Sequence, residues 1–178
     1  MDANANKPAP AKGKTKVERT GDREIVISRT FNGPARLVFE AWTTPELLKT
    51  WWVPKSTGMM LASCTADVRP GGQYRFEFAR EGSVIMAFFG RYVEVVPPAK
   101  LVWTNEESPD GSVTTLTFEE RGETTLLTLR EVYPSKEALD EIMGGTDGGM
   151  EETLDQLEAL LAEKRAANGG KWPARLGG

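Results

Sequence analysis

The 178-residue sequence contains no histidine and a single cysteine, Cys64. The missing histidines remove Ser-His-Asp and Cys-His nucleophilic machinery, histidine-ligated zinc and the commonest general base. The lone thiol excludes an internal disulfide and a thiolate-rich metal site, and suits a reducing cytoplasm. No metal or other cofactor is expected. Any acid–base step would fall to Glu, Asp, Lys, Arg, Tyr, Trp or main-chain groups. Long apolar runs are missing too: nothing of about 18 residues could span a membrane, and the N-terminus lacks the apolar core of a secretory signal. With a net charge of −4 and a pI of about 5.1, nucleic acid is not an expected partner. A cytoplasmic protein with one domain is expected.

What is present begins with an amphipathic stretch, GGMEETLDQLEALLAEKR, from 148 to 165. Met150, Leu154, Leu157 and Leu161 recur at helical spacing and fall on one face. Glu151, Glu152, Asp155, Glu158 and Glu163 lie elsewhere on the cylinder. Acids in the first turns and Lys164-Arg165 in the last suit the helix dipole. A lone amphipathic helix must lay its stripe on something, and the upstream chain reads as a sheet.

Residues 1–22 hold one large aliphatic residue, Val17, and read as a disordered tail. EIVISRTF (24–31) alternates as a strand, with Ile25, Ile27 and Arg29 on one face. Asn32-Gly33-Pro34 breaks it. Two short helices follow, PARLVFEAW and, capped by Thr44, PELLKTWW. Residues 58–133 then alternate between strands and turns. The strands are MMLASCTADV, QYRFEFAR, SVIMAFFGRYVEVV, KLVWTNEE, SVTTLTFEER and ETTLLTLREVY. Arg69-Pro70-Gly71-Gly72 and Pro109-Asp110-Gly111 are turns. Sequential strands on short turns pair antiparallel. The expected class is α+β: a curved antiparallel sheet of about six or seven strands around the long C-terminal helix, with two short helices after the first strand. The domain is expected to run from 23 to 165, with 166–178 as a flexible tail. The run from 144 to 149 is either a hinge or a simple helix start.

Several segments together carry a resemblance. RTFNGPARLVFEAWTTPELLKTWWVPK, DVRPGGQYRFEF, GRYVEVVPPAKLVWT, VTTLTFEERGETTLLTLRE and GGMEETLDQLEALL are similar to the START-like, birch-pollen-allergen-like helix-grip superfamily. Within it they resemble the branch named after the C-terminal domain of the activator of the heat-shock-protein ATPase. The resemblance implies a cavity between curved sheet and long helix, of the apolar kind that takes small ligands. Candidate lining residues are Tyr74, Phe76, Phe78, Phe88, Trp103 and Phe118, with Leu127, Leu129, Leu154 and Leu157. Met86 and Met150 would make the wall adaptable. Each would serve equally as plain core. Trp51 and Trp52 fall near the implied pocket end, one as structure and the other as a ligand platform or exposed contact.

Glu131 shares the alternation of Leu127, Leu129 and Tyr133, so its carboxylate is expected to face the cavity, where it needs a partner. Arg91 is the candidate. Together they would orient a ligand, act as an acid–base pair, or form a plain rim salt bridge. Three functions follow from these expectations: a carrier or sensor of a small hydrophobic molecule such as a lipid, polyketide or aromatic compound; a cyclase- or aromatase-like enzyme; or a stress-related protein with a chaperone as partner. Nothing in the sequence points to an oligomeric state.

Overall fold

Alternation in the sequence becomes burial in the sheet. In β2 (Glu24–Asn32) the side chains of Ile25, Ile27, Arg29 and Phe31 are buried and their neighbours are not. The computed structural model describes residues 15–107, 111–143 and 149–177. Among these, β1 (Lys16–Arg19), β2, β3 (Met60–Ala66), β4 (Gln73–Arg80), β5 (Ser83–Val96), β6 (Lys100–Thr104), β7 (Val113–Arg121) and β8 (Thr124–Val132) form one sheet. Its order is β1-β2-β8-β7-β6-β5-β4-β3, with every neighbouring pair antiparallel. Helices α1 (Ala35–Thr43) and α2 (Pro45–Trp51) follow β2, and α3 (Lys136–Met143) and α4 (Gly149–Ala167) follow β8. This is the expected helix-grip architecture, with eight strands rather than six or seven.

The added strand is β1, which lies inside the segment expected to be a disordered tail. Its four residues KVER are all exposed, so no apolar alternation announces it. Main-chain pairing with β2 holds it, from Lys16 opposite Ser28 to Arg19 opposite Ile25. Residues 1–14 of that tail, Pro109-Asp110 of the hairpin turn and the 144–148 glycine run lie outside the described residues.

The C-terminal segment, expected as a flexible tail, packs against α1 and the turn before it. Leu176 is buried, and its N–H donates to the Glu40 carboxylate. Arg36 donates to the carbonyls of Pro173 and Ala174 at 2.8 and 2.7 Å. Trp172 packs over Gly33, where a Cβ would stand 3.3 Å from the ring. Two apolar anchors among glycines are enough to fix a segment whose composition reads as loop.

Leu154, Leu157 and Leu161 of α4 are buried on the sheet side, as their spacing predicts. The acids of this helix are not simply solvated. Arg29, buried on the inner face of β2, forms ion pairs with Glu158 and with Asp155 at 2.7 Å, and lies 3.9 Å from Glu151. Helix spacing brings residues 151, 155 and 158 to one side, and the strand meets that side. α4 is also clamped to the segment after α2. Gln156 donates to the carbonyls of Trp51 and Val53 at 2.9 and 2.8 Å and accepts from the Lys55 N–H at 2.9 Å.

Candidate functional site

The helices do not fill the inner face of the sheet. A cavity of about 1010 Å³ remains, walled mainly by apolar side chains of β2, β4, β5, β6, α1, α2 and α4. Large rings form much of the wall and brace one another. Trp42 meets Trp52 with centroids 5.2 Å apart, Trp52 meets Phe76 at 5.8 Å, and Phe76 meets Tyr74 at 5.4 Å. Edge-to-face and tilted pairs of this kind favour fixed ring positions, which keeps the space open.

Eight of the side chains singled out in the sequence line this space: Trp52, Tyr74, Phe76, Phe78, Met86, Phe88, Trp103 and Met150, and Glu131 joins them. The others lie deeper. Phe118, Leu127, Leu129, Leu154 and Leu157 are buried core and do not reach the cavity. Alternation assigns a face but not a depth. Phe118 turns its ring onto Phe39 of α1, 5.3 Å between centroids. Trp51 is also core: it is completely buried, and its Nε1–H donates to the Ala41 carbonyl at 3.1 Å. Apolar side chains are exposed on β5 instead: Val84, Ile85 and Phe89, together with Met86 and Phe88 of the cavity wall.

One end of the cavity is polar, and cross-strand register explains why. Glu131 of β8 lies opposite Thr114, Thr114 opposite Trp103, and Trp103 opposite Tyr92. This row crosses four strands on one face. Glu131 Oε1 accepts from Ser112 Oγ at 2.8 Å and from Asn105 Nδ2 at 3.4 Å. Asn105 Nδ2 also donates to Thr114 Oγ1 at 3.0 Å, and the Tyr133 hydroxyl bonds Glu131. Tyr74 Oη reaches the Thr104 carbonyl at 2.8 Å, passing over Gly90. A Cβ at Gly90 would lie 1.8 Å from that carbonyl oxygen and 2.9 Å from Tyr74 Oη, so only glycine permits the approach.

The expected pairing of Glu131 with Arg91 is not formed. Gly90 and Tyr92 face inward, so Arg91 projects from the outer face, where its Nε lies 3.7 Å from Glu106. The two register shifts on β5, between Val84 and Met86 and between Tyr92 and Glu94, flank this stretch and do not turn Arg91 around. In its place stand Asn105, Ser112 and Tyr133. Asn105 and Ser112 flank the turn between β6 and β7, a position that periodicity does not flag. Burial pushes the hydroxyls of Tyr74, Tyr92 and Tyr133 well above the ordinary tyrosine range; Glu107 adds to this at Tyr74 and Glu131 at Tyr133. All three remain neutral hydrogen-bonding groups at neutral pH. Cys64 does not line the cavity, and burial raises its thiol to about 11, away from the thiolate form. Trp42 Nε1 is buried without a partner among the described residues, a donor left over in a wall residue.

Residues 32–162 match the family of the Activator of Hsp90 ATPase homolog 1-like protein. The chain belongs to that family. A solved protein from Nitrosomonas europaea is 27% identical, with a TM-score of 0.72 over 83% of this chain and 99% of its own. A Rhodobacter sphaeroides protein superposes with a TM-score of 0.78 at 22% identity, covering 84% of this chain and 99% of its own. An AHSA1-like protein from Aeromonas hydrophila gives 0.63 at 18% identity over 75% and 92%. At these lower identities the likeness concerns the fold. No curated protein matches the sequence. Among the described residues no helix of this family member is long and apolar enough to cross a membrane, and no group of His, Cys, Asp and Glu is placed to hold a metal ion.

Proposed function

We propose that this protein is a cytoplasmic binding module that holds a small hydrophobic molecule between its sheet and α4. The observation that carries this is the cavity itself: about 1010 Å³, walled by interlocked aromatic rings and methionines, with one polar end. Ligand sites commonly occupy roughly 300–1,000 Å³ with this mixture of apolar wall and few polar groups. Folding gains nothing from leaving such space unfilled, since unfilled volume forfeits packing. Met59, Met86, Met143 and Met150 in the wall allow it to adapt to its occupant.

An apolar fluorescent dye titrated into the protein tests this. It is expected to bind at one site. Thr153 lines the cavity from α4 and is buried. Thr153→Trp places an indole in the space, and is expected to weaken the dye at least about tenfold, or roughly 1.4 kcal/mol, while the protein still melts cooperatively. Unchanged affinity in that variant would remove the cavity as the binding site.

A second reading is a partner protein, a chaperone included, docking on the exposed apolar residues of β5. The family description and the exposed β5 side chains that do not line the cavity, Val84, Ile85 and Phe89, support it. We place it second, because exposed side chains on one strand are a weaker sign than a shaped, braced interior. An acid–base enzyme of the cyclase kind comes third: Glu131 stands in the cavity, but without the expected Arg91 beside it.

A further inference from the structure

The charge of the cavity restricts what it can hold. Among the described residues, no lysine or arginine lines it, and its two charged side chains are carboxylates, Glu131 and Glu152. Glu152 is already engaged at the edge: Ser56 donates to it from its hydroxyl at 2.5 Å and from its main-chain N–H at 2.9 Å. Glu131 is differently placed. Among the described residues its hydrogen-bond partners, Ser112, Asn105 and Tyr133, are all neutral, and Arg91 is occupied by Glu106 on the other face. A partly buried carboxylate with only neutral partners is completed by a cation. Tyr133 bonds it, Tyr74 bonds its partner Asn105, and Trp103 lies two strands along the same row of the wall; the faces of aromatic rings attract positive charge.

We propose that the cavity selects a hydrophobic amine: a protonated ammonium head set against Glu131 and the surrounding rings, with its apolar body lying along Trp52, Phe76 and Phe78. This rests on the binding function proposed above and names the class of its ligand. A fatty acid or other carboxylate of the same length would bring like charge to Glu131. The wall also offers an anion something, namely the Trp42 Nε1–H, which has no partner among the described residues, so comparing head groups is a real contest.

The test uses decylamine, decanol and decanoate, each below its aggregation limit, followed by the fluorescence of the wall tryptophans in the full-length protein. The amine is expected to bind at least about tenfold more tightly than the alcohol, as a charge-assisted contact would give, and the carboxylate most weakly. Glu131→Gln should lower the amine to the level of the alcohol and leave the alcohol unchanged. Decanoate binding as well as decylamine, or an amine preference that survives in Glu131→Gln, would overturn the assignment while leaving the cavity as a binding site. Failure of all three to bind would overturn both. Should Glu131→Gln not fold, N-acetyl-decylamine on the wild-type protein decides: equal affinity for this uncharged analogue and for decylamine would overturn the proposal.

Discussion

Replacing Trp51 with alanine is expected to cost about 3–5 kcal/mol of stability, the range for removing a large ring from a core. For a chain of this length that is a fall in Tm of roughly 6–20 °C. Trp51 is 0% exposed. Its ring meets Trp42 at 4.9 Å and Trp52 at 5.4 Å, and its Nε1–H satisfies the Ala41 carbonyl of α1. Alanine would therefore open a large void, strand a buried acceptor and free the rings that brace the cavity wall. Trp51→Phe should recover part of the loss, since it refills most of the void but not the hydrogen bond. Thermal or denaturant unfolding of the two variants checks this. A loss below about 1 kcal/mol for Trp51→Ala, far under the core range, would mean that Trp51 is not the packing centre described here.

Neutralising two acids of α4 should cost more than removing the arginine they face. In Asp155→Asn/Glu158→Gln the Arg29 guanidinium, 1% exposed, keeps one carboxylate, Glu151 at 3.9 Å, and the Thr15 hydroxyl at 3.3 Å. A buried charge deprived of its partners typically costs 3–5 kcal/mol; the partial exposure of the carboxylates argues for the lower end, about 3 kcal/mol. Arg29→Met leaves the acids instead, and these are 41%, 49% and 27% exposed and can hydrate. It also removes the buried Arg29 Nε, which has no hydrogen-bond partner among the described residues. A methionine there would continue the apolar row of Ile25, Ile27 and Phe31. Urea unfolding of both variants gives the order directly. Arg29→Met as the more damaging change would show that the ion pairs themselves, and not burial of an unmatched charge, hold α4 to β2.

The two regions differ in how far the sequence reveals them. Alternation placed Arg29 inward beside Ile25 and Ile27, but not its partner Glu158, which lies 129 residues away and becomes a neighbour only when α4 crosses the sheet. The same alternation put Glu131 on the inner face with Leu127 and Leu129, and the structure agrees. It did not separate them: Leu127 and Leu129 are core, and Glu131 reaches the cavity. Period two gives the side of the sheet, while depth depends on which helix packs above each residue. Arg91 sits one residue from two inward-facing positions, so its orientation follows from local parity once Gly90 and Tyr92 are placed. Asn105 and Ser112 were not legible, because they flank a turn where no period applies. β1 was hidden for another reason. No residue of KVER is fully buried, and the strand is held largely by main-chain pairing with β2, which carries no side-chain signature; its one apolar side chain, Val17, only edges the cavity, and the Arg19–Asp140 ion pair joins residues 121 positions apart.

Native mass spectrometry of the protein, purified gently from the cells that make it, tests the central claim most directly. A cavity of about 1010 Å³ behind interlocked rings is expected to retain its occupant through purification. The spectrum should show the chain plus one molecule of a few hundred daltons, lost on denaturation and absent from Thr153→Trp. The chain mass alone in every gentle preparation, together with no dye uptake, would contradict an internal ligand site and turn attention to the exposed face of β5.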